Sequence, residues 1–111
     1  MKPIYHYSKS YWGESTTIIT DSGHGMIKVC HDKFLANEVT ICNLNVSPEK
    51  RRKGIGTKLI KLAEKEAKAF GVNKVNISVE NDNVFVKDWY KRLGYETVRV
   101  GTYRTDMVKR F

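Results

Sequence analysis

Val46-Ser47-Pro48-Glu49-Lys50-Arg51-Arg52-Lys53-Gly54-Ile55-Gly56-Thr57 carries the chain from a strand into a helix through a basic turn that contains two glycines. Upstream of it, Glu38 to Val46 is a run of β-branched and apolar residues that reads as a long strand, stopped by Ser47-Pro48. Downstream, Ile55, Leu59, Leu62, Ala63 and Phe70 form one apolar stripe, with Lys58, Lys61, Lys65 and Lys68 roughly opposite, so Gly54 to Phe70 reads as an amphipathic helix that stops at Gly71. At the start of such a helix several backbone N–H groups have no intrahelical partner, and the helix macrodipole adds partial positive charge there. With Gly54 and Gly56 removing Cβ atoms and Arg51, Arg52 and Lys53 adding charge, the turn can hold a phosphate or pyrophosphate against the main chain. A P-loop is excluded, because Gly-x4-Gly-Lys-Ser/Thr is missing. The dinucleotide fingerprint is excluded because Leu59 stands where a third glycine is needed. A tight turn and close packing alone would also call for these glycines.

Outward from this point, Tyr5 to Ser8, Thr16 to Thr20 and Met26 to Cys30 read as an antiparallel meander. After the first helix, Val75 to Val79 alternates as a strand, and Glu80-Asn81-Asp82-Asn83 supplies N-cap candidates for a second helix. In that helix Phe85, Val86, Trp89, Tyr90 and Leu93 fall at helical spacing, and Gly94 ends it. Glu96 to Val100 and Tyr103 to Val108 close the order as strands. The sum is an α/β (α+β) domain, a mixed sheet with two main helices.

With 111 residues the chain is read as one domain, 1–111, and its 41% hydrophobic and 29% charged residues suit a folded core rather than disorder. The net charge is +8, and residues 47 to 74 hold nine Lys and Arg against three Glu, so six of the eight charges concentrate around the turn and its helix. That implies an anionic partner or a solvated helix face. No apolar run approaches the ~20 residues of a membrane span, and the first residues lack the apolar stretch of a signal peptide, so a cytoplasmic protein without membrane association is expected. Cys30 and Cys42, a lone pair without secretion signals, read as reduced, half-buried thiols. They and His6, His24 and His31 lack metal-site spacing, and no metal is expected.

Three linked pieces resemble the GNAT superfamily of acyl-CoA-dependent N-acyltransferases. The first is Val46-Ser47-Pro48 followed by Arg51-x-x-Gly54-x-Gly56 with Leu59 on the helix. The second is Asn83 seven residues before Tyr90, ahead of Gly94-Tyr95. The third is the terminal Met107-Val108-Lys109-Arg110-Phe111. The resemblance implies a GNAT-like fold whose central parallel strands splay, with acetyl-CoA as co-substrate. Backbone groups of Leu44 and Val46 would bind the pantetheine arm as an added strand would. Amides of the turn, with Arg51, Arg52, Lys53, Gly54, Ile55, Gly56 and Thr57, would hold the pyrophosphate. Asn83 would touch the cofactor arm, and the Tyr90 hydroxyl would protonate the leaving thiolate. Read without the motif, Asn83 is an ordinary N-cap and Tyr90 a core aromatic beside Trp89.

The chain departs from the family pattern in two places. No amphipathic helix precedes Glu38, where the family commonly has about two, so it reads as a trimmed member with an open acceptor side. That favours a homodimer or a protein amine, although a small-molecule amine remains an acceptor class. Near Leu44 to Val46 the residues are Asn43 and Asn45, with no carboxylate; Glu38, on the same strand, is the candidate general base. The reaction implied is direct attack of an amine on the thioester. A basic nucleic-acid-binding module, which a pI of 9.6 permits, and a non-catalytic acyl-CoA-binding regulator are the alternatives.

Overall fold

The computed structural model describes residues 2–20, 23–47 and 54–111. Its elements run β1 (Ile4–Ser10), β2 (Gly13–Ile19), β3 (Gly25–Asp32), β4 (Glu38–Val46), α1 (Ile55–Ala69), β5 (Lys74–Glu80), α2 (Val84–Arg92), β6 (Glu96–Val100) and β7 (Arg104–Arg110). The seven strands form one sheet in the order β1-β2-β3-β4-β5-β7-β6. All neighbours are antiparallel except β4 and β5, which are parallel and joined by the α1 crossover. Among the described residues no helix precedes β4.

Strand alternation decides which face is covered. Thr16 and Ile18 of β2, Ile27 and Val29 of β3, Val39 and Ile41 of β4, and Val75, Ile77 and Val79 of β5 are all buried. Leu59, Ile60, Ala63 and Ala67 of α1 and Tyr90 of α2 join these apolar side chains in one cluster, so both helices lie over this face. Each fully buried Ile or Leu there contributes about 1.5–3 kcal/mol. The alternate residues Ser15, Thr17, Lys28, Thr40 and Asn76 are polar, which suits a face with no helix on it. The Lys58, Lys61, Lys65 and Lys68 stripe is exposed along α1.

One link ties α1 to the far strands. The Tyr95 hydroxyl donates to Glu64 Oε2 at 2.9 Å, and Lys109 Nζ lies 3.1 Å from the same oxygen. Glu64 is buried, so both partners are needed to offset its desolvation.

Cys30 and Cys42 are joined by a disulfide, with Cα atoms 6.4 Å apart. This corrects the reading of two reduced thiols. Cys30 pairs opposite Thr40, which makes Cys42 its diagonal neighbour across β3 and β4. Pairing of that kind is set by strand register, which composition does not report.

Candidate active site

The ladder between the parallel strands covers only Glu38–Thr40 of β4 and Lys74–Asn76 of β5. Beyond it the two strands diverge, and the cause is visible on each side. On β4, Ile41 pairs with Val29 and Asn43 with Lys28, leaving Cys42 as the extra residue of a β-bulge, which bends and twists its strand. On β5, every residue from Lys74 to Glu80 keeps register with β7 through Arg110 to Arg104, which holds that strand in the sheet. The V-shaped cleft between them has a volume of about 660 Å³.

Ile41 to Val46, which include Leu44 and Val46, form one wall of the cleft and Ile77 to Glu80 the other. The mouth is bordered by Gly56 in the first turn of α1 and by Trp89. Gly54 adopts φ 82°, the left-handed region that favours glycine, and its carbonyl accepts from the Lys58 N–H at 3.0 Å. No side chain caps this helix and its first turn has no acidic residue, which leaves its N–H groups and dipole available to an anion. A Cβ on Gly56 would sit 3.4 Å from the Trp89 ring and 3.9 Å from Val46 Cγ2, so any longer side chain there enters the mouth. Ile55 instead packs against the core, and Thr57 is half-buried without lining the cleft. Arg51, Arg52 and Lys53 lie outside the described residues. The cradle present therefore fits a phosphate-bearing ligand with an extended arm.

Asn83 both caps α2, its Oδ1 accepting from the Val86 N–H at 3.3 Å, and lines the cleft. Tyr90 is 5% exposed, with ring centroids of Trp89 and Tyr95 at 4.9 and 5.6 Å, yet it lines the cleft too. Unlike the Tyr95 hydroxyl, which Glu64 holds, the Tyr90 hydroxyl makes no hydrogen bond among the described residues. Burial pushes its pKa up to about 12, so the phenol is protonated at neutral pH and has a proton to donate.

Glu38 does not line the cleft. It sits on the paired half of β4, where Asn76 Nδ2 donates to its Oε1 at 3.0 Å and Lys74 Nζ lies 3.3 Å from Oε2. Among the described residues the carboxylate that does line the cleft is Glu80, with Arg104 opposite it across β5 and β7. Arg104 donates to Ser78 Oγ and to the Ser78 carbonyl at 2.8 and 3.0 Å, while its 3.9 Å approach to Glu80 is largely exposed and weak. Neither residue is singled out by the sequence, because only the β5–β7 register brings them together. Among the described residues no cluster of three or more His, Cys, Asp and Glu is placed to hold a metal ion.

This geometry agrees with comparison to known proteins. Residues 9–95 match the acetyltransferase (GNAT) family, and the chain belongs to it. The family is one of acyl-CoA-dependent acetyl transfer, with acetyl-CoA as co-substrate.

Solved structures share the fold. A PaiA N-acetyltransferase from Thermoplasma acidophilum, crystallised with coenzyme A, is 24% identical with a TM-score of 0.76 over 87% of this chain. This chain spans 60% of that protein's length. An IAA acetyltransferase from Bacillus cereus is 14% identical with a TM-score of 0.78, covering 99% of this chain and 100% of the other. A Bacillus subtilis acetyltransferase in complex with CoA is 15% identical with a TM-score of 0.75, covering 99% of each. At these identities the likeness establishes the mixed seven-stranded fold.

Proposed function

We propose that the protein is an N-acetyltransferase that moves the acetyl group of acetyl-CoA directly to a primary amine. The observation that carries this reading is the cleft itself: β4 and β5 part beyond Thr40, with an uncapped helix end at one border and a buried, uncommitted phenol in the wall. Acetyl-CoA supplies the activated acyl group. Gly54 and Gly56 let the α1 amides approach its pyrophosphate, and Arg51, Arg52 and Lys53, which precede Gly54 in the sequence, add positive charge. The divergent edge of β4 near Leu44 and Val46 offers main-chain groups to the pantetheine arm, and Asn83 contacts the arm from α2. Holding thioester and amine together in the cleft supplies most of the rate, backbone N–H groups of β4 polarise the carbonyl, and Tyr90 donates its proton to the departing thiolate.

Glu38, engaged by Lys74 and Asn76, is not assigned a role, and the amine loses its proton to solvent through a water relay or binds already neutral. The helix-free face of the sheet leaves the acceptor side open, which suits a protein amine or a second subunit that completes the site.

A thermal-shift comparison of acetyl-CoA, CoA and duplex DNA or RNA tests the reading. Stabilisation by the two CoA species and none by nucleic acid is expected. Stabilisation by nucleic acid alone would replace it with the binding-module alternative.

A further inference from the structure

The Cys30–Cys42 disulfide lies at the closed end of the cleft. The last β4/β5 pair is Thr40 with Asn76, so Ile41 and Cys42 are the first cleft residues beyond the closed apex. Val46 and Gly56 mark the mouth, four residues and about 13 Å of strand away. The two sulfurs face different surroundings. Cys42 is exposed and lines the cleft, whereas Cys30 is half-buried and lines a separate cavity of about 260 Å³ beside Lys28 on the helix-free face.

We propose that this disulfide is a thiol–disulfide exchange site for the CoA thiol, with Cys42 as the sulfur modified; the inference rests on the acetyl-CoA reading above. Each acetyl transfer leaves a free CoA thiol in the cleft. After that thiol loses its proton to solvent, the thiolate attacks Cys42 Sγ and a new S–S bond forms. The Cys30–Cys42 bond breaks, and its electron pair leaves on Cys30 Sγ, which takes a proton from solvent. No outside oxidant is consumed, because one disulfide replaces another. Lys28, two residues from Cys30 on the same face of β3, favours the thiolate as it leaves. The product is a Cys42–CoA mixed disulfide that plugs the cleft until a second thiol reverses it. Cys42 Sγ lies 3.7 Å from the Thr40 carbonyl, an acceptor for the thiol proton once the disulfide is opened.

The experiment incubates the disulfide form, prepared with oxidised glutathione, with CoA, with CoA plus excess acetyl-CoA, and with 2-mercaptoethanol. Intact-mass and peptide-mapping spectrometry are read alongside thiol titration, with CoA binding measured by calorimetry. The expected result is one CoA per chain on Cys42 with one new free thiol on Cys30. Acetyl-CoA should suppress the adduct, and CoA should react at least ~10-fold faster than 2-mercaptoethanol because the cleft concentrates it beside the disulfide. Four results overturn the proposal: failure of the disulfide to form, an adduct on Cys30, equal rates for the two thiols, or no adduct although calorimetry shows CoA bound. The last leaves the acetyl-CoA reading intact, whereas absence of CoA binding removes both.

Discussion

Tyr90 is a residue whose two environments do different work. Its ring packs between Trp89 and Tyr95 in the core, while its hydroxyl makes no hydrogen bond among the described residues and Tyr90 lines the cleft. Tyr90→Phe keeps the ring and removes only the proton. Steady-state kinetics on this variant should show kcat lower by about 100-fold with KM for acetyl-CoA nearly unchanged, at an unaltered melting temperature. The same phenol should mark the pH dependence of stability. Its folded pKa, about 12, exceeds the ordinary 10.0, so the folded state holds the proton longer than the unfolded state. Its contribution is complete below pH 10 and is lost as pH rises through 12. Tyr95, also raised by burial and by Glu64, adds to the same loss. Melting curves from pH 9 to 12 should fall less steeply for Tyr90→Phe than for the parent protein. Glu64 gives a separate stability test: Glu64→Gln weakens its contacts with Tyr95 and Lys109 and should cost about 1–3 kcal/mol by urea unfolding.

At the scale of elements, β4 decides the architecture of the site, and its bulge at Cys42 is pinned to β3 by the disulfide. The cysteines are 12 residues apart, and closing a loop of that length stabilises by about 3 kcal/mol in the chain-entropy account. Reduction should lower the urea midpoint accordingly, and an unchanged midpoint would show that the bond does not constrain the unfolded chain. The elements themselves were legible in the sequence because each had its own local signal: α1 from the 3.6-residue apolar stripe ending at Gly71, α2 from Phe85 to Leu93, and β4 from its β-branched run. Relations between elements were less so. That Glu38 lies on β4 was readable, but its capture by Lys74 and Asn76 depends on which half of β4 pairs with β5. Arg104 and Glu80 meet only through the β5–β7 ladder, and Cys30 meets Cys42 only through the β3–β4 register. Alternation within one strand contains none of these registers. The cleft was expected from the family resemblance that the Arg51-x-x-Gly54-x-Gly56 and Asn83–Tyr90 motifs carry, not from any property of a single strand.

Across the whole molecule the charge is unevenly distributed: six of the eight net positive charges lie between residues 47 and 74 of the sequence, a stretch that includes the whole of α1. Such a field concentrates a polyanionic ligand, and salt screens it over about 10 Å at 0.1 M. KM for acetyl-CoA should therefore rise by about 3-fold or more between ~0.05 and ~0.5 M salt, while kcat, set inside the cleft, changes little. The central claim is that the α1 end and the parted strands together hold acetyl-CoA, and calorimetric titration of acetyl-CoA into the parent protein and Gly56→Glu tests it most directly. Gly56 sits inside the helix with ordinary backbone geometry, and a side chain there points past Trp89 into the mouth, so the variant should melt normally. The account predicts one acetyl-CoA site in the parent and no measurable binding to folded Gly56→Glu, through bulk and like charge against the pyrophosphate; equal affinity for both proteins would contradict it.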